Sequence, residues 1–400
     1  MYQKKNTSQN RPKICLFSFP MGSALVVSTF IDALIEILSP ICETVYIVTG
    51  NYPKKEIIGK KIKIIDVGLS LHLRTAISPI WWSNILQLLK IIFIQIKMAW
   101  VLLKISREID ITFFYVGGSN LFLPALIARL LRKHVITSAI GLSSHCYKHS
   151  HNKKMLSIGD IYNILEKFMF SFSDQIIVES PGVVDFLGID KYRKKIVTSG
   201  ARYIDINLFK IKKNLNERKP IIGFIGRLDE GKGIMDLVKA IPIVLEQKKN
   251  IKFFIGGFGN LYEAINKEID INNMSKNINL VGWIPHDDVA DHLNEFKLFI
   301  LPSKSEGLPT GVLEAMACGT PVLVTPVGGI TDVILDGKSG FILNDNSPEG
   351  IAQSIIRALD CPELNQIAKN ARKIIEDEFD YDIAVKRYTI ILNKHRGDVA

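Results

Sequence analysis

The chain has 400 residues, 47% of them hydrophobic, which is more than one hydrophobic core usually holds and too apolar for a disordered polymer, so two domains are expected. The formal charge of +10 is lopsided: residues 1–200 carry 25 Lys and Arg against 13 Asp and Glu, net +12, and residues 201–400 carry 25 against 27, net −2. The basic half asks for an anionic neighbour, and an anionic membrane surface fits it better than nucleic acid, since no helix-turn-helix, zinc-finger or ribonucleoprotein signature is present and the cations are not interleaved with stacking aromatics.

The N-terminal 1–12, MYQKKNTSQNRPK up to its last residue, is polar, lacks a secretory apolar core and reads as a flexible leader. Residues 13–206 then read as a first α/β domain: an apolar strand KICLFSF, the turn PMGS, a helix, and further strands at ETVYIVTG, KIKIIDVG, DITFFYVG, HVITSAIG, QIIVES and KIVTSG. Between the third and fourth of these strands, residues 80–107 are largely apolar but carry Lys90, Lys97 and Lys104 every seventh position, on one face of a helix about 40 Å long. A lysine in mid-helix is costly in a membrane span, so the helix is expected to be buried on three sides of its domain, with an interfacial helix bearing Trp81, Trp82 and Trp100 as the alternative. The polar stretch 143–159 reads as a mobile loop or lid, and the charged, apolar-poor 207–219 as the interdomain linker.

Residues 220–380 restart the strand, glycine-rich turn and helix rhythm with PIIGFIGRLDEGKGIMDLVKAIPIVLEQ, followed by IKFFIGGFG, INLVGWI, KLFILPS, PVLVTPVGG and GFIL, each short, apolar and closed by Gly, Pro or Ser. Three helical stretches end the chain, the last, within 381–400, expected to cross back to the first domain. Two doubly wound, Rossmann-like α/β domains facing each other across a cleft follow, with ligands at the carboxyl ends of the parallel strands.

Two constellations carry chemistry. In GFIGRLDEGKGI, Gly223, Gly226, Gly231 and Gly233 bring a strand end close to a helix start, where unpaired amides would face an anion, and Arg227 and Lys232 stand at the same mouth. A guanidinium fork and an ammonium five residues apart suit a diphosphate, although two surface residues capping a turn would leave the same pattern. The spacing is neither that of the nucleotide-binding P-loop nor that of the dinucleotide fingerprint. In SKSEGLPTGVLEAMACGTPV, Glu306 lies in a loop and Glu314 near a helix start; the helix dipole alone accounts for Glu314, whereas Glu306 beside a phosphate site needs hydroxyl partners such as those of a sugar or a ribose.

The segments GRLDEGKG, VGWIPHDDV and SEGLPTGVLEAMACGTPVLVTPVGG resemble the donor-binding domain of the GT4 family of retaining glycosyltransferases, which have the two-domain GT-B fold; the resemblance is strong over 220–342 and one of layout only in the N-terminal half. It implies a hexosyltransferase that moves a sugar from a UDP- or GDP-linked donor to a glycan or lipid-linked acceptor, without a metal or other cofactor. It implies further that Arg227 and Lys232 bind the diphosphate, that Glu306 holds the transferred sugar and Glu314 the ribose, and that Gly226, Gly307 and Leu308 line the donor. The base would rest on backbone near Trp283 and Ile284, and Gly22 would sit in the N-terminal glycine loop. Catalysis is then carried by Arg227, Lys232 and Glu306, by attack on the face from which the diphosphate leaves. The sequence departs from the family in having one glycine in the N-terminal loop, no histidine in FFYVGGSN or VITSAIGLSS, and Asp332 where relatives carry Glu. These departures keep open a catalytically impaired nucleotide-sugar-binding partner subunit; a sugar-nucleotide epimerase or glycoside phosphorylase is the other alternative. Five widely spaced cysteines with no metal-like pairing point to a reduced cytoplasm, and the basic, Trp-bearing first half to peripheral attachment at the inner face of the cell membrane.

Overall fold

The computed structural model describes residues 11–19, 24–50, 52, 61–68, 81–140, 153–199 and 203–394; the side chains of 24–29, 81–88, 153–159 and 161 fall outside that description. Residues 1–10 of the leader, Gly22 and residues 143–152 of the expected lid therefore lie outside the described residues, whereas the remainder of that lid, from Lys153 on, is helical.

In chain order the first elements are β1 (Lys13–Phe17), α1 (Ala24–Leu38), β2 (Thr44–Thr49), β3 (Ile62–Asp66), α2 (Trp81–Ile105), β4 (Ile111–Phe114), α3 (Phe122–Leu130), β5 (His134–Ser138), α4 (Lys153–Phe172), β6 (Gln175–Val178), α5 (Gly182–Leu187) and β7 (Ile196–Thr198). They are followed by β8 (Ile221–Ile225), α6 (Ile234–Gln247), β9 (Lys252–Gly256), α7 (Tyr262–Ile271), β10 (Ile278–Val281), α8 (His286–Glu295) and β11 (Leu298–Leu301). The chain ends with α9 (Thr310–Ala317), β12 (Val322–Val324), α10 (Ile330–Val333), β13 (Phe341–Ile342), α11 (Pro348–Leu359), α12 (Leu364–Glu378) and α13 (Tyr381–Asn393).

The strands form two wholly parallel sheets, ordered β3-β2-β1-β4-β5-β6-β7 and β10-β9-β8-β11-β12-β13. Both are doubly wound and Rossmann-like: the order reverses beside the first strand of each, between β1 and β4 and between β8 and β11, and that reversal opens a crevice at the strands' carboxyl ends. The continuous apolar runs of the sequence are what such strands need, because helices cover both faces. Helix ends follow local chemistry; Ser347 caps α11 by accepting the Gly350 amide at 3.0 Å, with Pro348 at the first helical position.

The chain divides into two compact units, one of residues 1–178, 187–199 and 384–400, the other of 179–186 and 200–383. Within the first, α13 joins the sheet from Ala384 on, and the buried Gln175 amide donates to the Ile391 carbonyl at 3.1 Å. The segment 207–219 is not a free linker: Phe209 and Leu215 are buried in the second unit's core, and the buried Arg218 guanidinium donates to Leu293 O, Phe296 O, Cys318 O and the Thr320 hydroxyl. Its surface lysines give it the composition of a linker, but three spaced anchors tie it down. Burial pulls the Arg218 pKa down to about 10, a sign of how far the charge is withdrawn from water.

Nor is α2 buried on three sides. Ile94, Met98, Ala99, Leu102 and Ile105 face the core, while Leu89, Ile92, Phe93, Ile96, Trp100 and Leu103 are exposed. No described helix is long and apolar enough to cross a membrane.

Candidate functional site

The second unit's reversal point is built from three loops. The first, residues 226–233, leaves β8 under tight steric rule. Gly226 donates to Gly256 O at 3.0 Å, and a Cβ on the neighbouring Gly257, whose φ is +137°, would lie 1.8 Å from Gly226 O. Gly233, at φ +65°, brings the loop's end so close to β11 that a Cβ there would meet Pro302 O at 2.1 Å. The glycines thus act by close approach rather than by offering free amides: the N–H groups of Gly226, Lys232 and Gly233 are all taken up by protein acceptors. Gly223 is not at the mouth but inside β8, under the ring of Phe296.

Asp229 organises this loop. Its Oδ1 accepts the Lys232 N–H at 3.1 Å as a helix cap, and its Oδ2 pairs with Arg227 Nη1 at 2.9 Å. One carboxylate therefore fixes the Arg227 side chain and the Lys232 backbone, a role that sequence alone does not single out. The two cations differ in setting. Arg227 is 77% exposed, whereas Lys232 reaches inward.

The second loop, 302–309, follows β11. Lys304 N donates to Gly231 O at 2.8 Å, so the two loops lie side by side, and Glu306 meets the lysine: Lys232 Nζ donates to Glu306 Oε1 at 2.5 Å, with the side chains only 18% and 10% exposed. Repulsion from a phosphate alone sets Glu306 apart from the cations in the sequence; in the structure the carboxylate is the ammonium's partner. Ser303, fully buried beside them, has a hydroxyl with no hydrogen-bond partner among the described residues.

The third loop, 325–329, follows β12 and seals the second from behind. Gly329 donates to Gly307 O at 2.7 Å, and Gly328, at φ +60°, approaches so near that a Cβ would meet Glu306 O at 2.0 Å. The Leu308 amide donates to Glu179 Oε2 at 3.0 Å, and the Gly182 amide to Asp332 Oδ2 at 2.6 Å. A Cβ added at Gly182 would lie 2.9 Å from that carboxylate, so the close approach of this amide depends on the missing side chain.

Glu314 sits on the second turn of α9, buried, and its Oε1 lies 3.0 Å from His286 Nε2 at the start of α8. His286 escaped the sequence reading because 28 residues separate it from its partner. Of the pair proposed for a nucleobase, Ile284 packs over Gly256, while Trp283 is 67% exposed. The structure thus gathers Gly226, Arg227, Lys232, Glu306, Gly307 and Leu308 on adjoining loops at the carboxyl ends of β8 and β11. Among the described residues no group of three or more His, Cys, Asp or Glu is placed to hold a metal ion.

Residues 205–374 match the family model for glycosyl transferases group 1. The chain is similar to an uncharacterised glycosyltransferase of Methanocaldococcus jannaschii, 27% identical over 74% of this chain and 78% of that protein. It is also similar to the capsular polysaccharide biosynthesis glycosyltransferase CapM of Staphylococcus aureus, 31% identical over 41% of this chain and 43% of that one. Among solved structures, Anabaena HepE in complex with UDP and glucose superposes over 96% of this chain and all of that one, with a TM-score of 0.69 at 15% identity. The chain therefore has the GT-B fold and is related to the glycosyltransferases that share it.

Proposed function

We propose that the protein is a retaining glycosyltransferase of the GT4 type, which moves a hexose from a UDP- or GDP-linked donor to a glycan or lipid-linked acceptor. The observation that carries this reading is the pairing of Lys232 with Glu306 on two loops at the reversal point of the second sheet. A cation held by a carboxylate inside a crevice is poised to exchange that partner for a diphosphate, leaving the carboxylate to accept hydrogen bonds from sugar hydroxyls.

In the reaction the bond from the anomeric carbon to the diphosphate oxygen breaks while the acceptor oxygen bonds to the same face, and the acceptor's proton passes to the leaving phosphate. Arg227 and Lys232 stabilise the negative charge that grows on that phosphate, the contribution that preorganised cations make best. Asp229 holds the Arg227 side chain and the Lys232 backbone in place, and Glu314 accepts from the ribose. A UDP donor is favoured by the UDP and glucose named in the HepE complex, and a glycan acceptor by the capsular polysaccharide named for CapM.

Thermal melting of the purified full-length protein with UDP, GDP and ADP tests the donor, since a ligand that binds only the folded state raises the melting temperature. UDP or GDP is expected to stabilise wild type and to lose that effect in Lys232→Ala. Equal stabilisation of both proteins would remove the lysine from the site, and no stabilisation by any of the three would overturn the reading.

A further inference from the structure

The exposed side of α2 is a feature that the donor site does not use. At about 100° per residue, Leu89, Ile92, Phe93, Ile96, Trp100 and Leu103 fall within one arc of the helix, opposite the buried Ile94, Met98 and Ile105. Trp100 is 56% exposed and Phe93 50%, so this is a continuous apolar stripe open to solvent rather than scattered side chains.

The three lysines are not spread over the helix. Lys90, Lys97 and Lys104 form a row along one edge of the stripe. Lys104 Nζ lies 3.4 Å from the centroid of the Trp100 ring and Lys97 Nζ 5.4 Å from that of Phe93, while Lys97 also donates to Val67 O at 3.1 Å. The other edge meets α3, where Gln95 accepts the Leu123 amide at 2.9 Å. That neighbouring helix ends in Leu130, 73% exposed, and Leu131, flanked in sequence by Arg129 and Arg132.

We propose that this face docks on an anionic lipid bilayer, with α2 lying in the plane of the interface, its apolar arc among the acyl chains and its lysine row on lipid phosphates. The charge pattern selects this occupant. Helix α2 carries three lysines and no acidic residue, in a half-chain of net charge +12. A second copy packed through the same face would set lysine rows together with no carboxylate of α2 to answer them. Aromatic rings at a water–lipid boundary and basic side chains reaching to the headgroups are the chemistry of an interfacial helix. The inference does not depend on the transferase reading, because none of these residues belongs to the donor site.

Flotation of the full-length protein with vesicles tests it, comparing neutral phosphatidylcholine with vesicles holding about 30% phosphatidylglycerol at low and high salt. Wild type is expected to float with the anionic vesicles at low salt and to be released by salt. The double variant Ile96→Glu, Trp100→Glu should weaken binding about 10-fold or more, and Lys90→Ala with Lys104→Ala should weaken it a few-fold and flatten the salt dependence. Phe93→Glu serves as a second apolar probe should the double variant melt early. Wild type that stays with the soluble fraction at low salt overturns the proposal. So does a wild-type dimer, split by Ile96→Glu, that ignores both kinds of vesicle, since the stripe would then be a protein interface.

Discussion

The two units share a topology and differ in what they place on it. Each is a parallel doubly wound sheet with one reversal of strand order. In the second, that reversal is crowded with charge: three loops locked by glycine close approaches hold an ammonium against a carboxylate in a half-buried crevice. In the first, the conspicuous feature is a long helix turning an apolar stripe and a lysine row outward. On the two proposals made above, cations do two kinds of work in one chain. Lys232 is one charge at a fixed place, whereas Lys90 and Lys104 are members of a row in which no single position is decisive. Fixed charges serve chemistry and distributed ones serve adhesion, because a transition state has one geometry and a lipid surface has none.

That contrast is broken most directly by removing one cation from each place. Lys232→Ala is expected to lower turnover about 100-fold or more, some 2.7 kcal/mol of barrier, and to lower the melting temperature as well, because it leaves the largely buried Glu306 carboxylate without its ammonium. Lys104→Ala should leave turnover with a soluble acceptor within about two-fold. Comparable losses in both, measured as kcat on the same donor, would erase the distinction. The next largest effect falls on folding. Gly223→Ala would set a methyl 2.0 Å from the Phe296 ring, and overpacking of that kind costs about 1–3 kcal/mol. At about 2–4 °C per kcal/mol, a melting curve should show the loss, and an unchanged curve would mean that β8 and α8 have slack between them.

A smaller effect isolates the residue that ties the loop together. Asp229→Ala removes a cap and an ion pair at once, and is expected to lower kcat/KM for the donor about 10-fold while the acceptor's KM holds. Asp229→Asn keeps an acceptor for the Lys232 amide and should recover part of the loss. Failure of Asn to recover any of it would assign the whole effect to the charge on Arg227.

How much of this was legible from sequence depended on the range of the interactions. The strands announced themselves because each is a short apolar run closed by Gly, Pro or Ser, a local signal. The loops after β8 and β11 stood out because their glycines and charges are contiguous. What escaped was set by pairs far apart in the chain: Lys232 with Glu306 is separated by 74 residues, and Glu179 with the Leu308 amide by 129. The outward stripe of α2 escaped for another reason. A helix apolar around most of its circumference reads as buried, and only the neighbours it packs against reveal which side has none. Segment 207–219 misled in the opposite sense, since its charge count hid Phe209, Leu215 and Arg218, single anchors with no periodicity to betray them.

The smallest expected effect concerns His286, and it probes how finely the second unit's site is arranged. Glu314 is buried on α9 and its carboxylate is held by a histidine that is itself largely open to solvent. Such a partner fixes the direction of the acid without shielding it, so His286→Ala should free Glu314 to rotate while leaving the cations untouched. The KM for the nucleotide-sugar is then expected to rise about three-fold with kcat nearly constant, the pattern of lost ground-state binding. His286→Gln, which keeps a donor near the same place, should restore much of the affinity. A fall in kcat at unchanged KM would instead place His286 among the groups that act only in the transition state, and would move the chemistry toward α8.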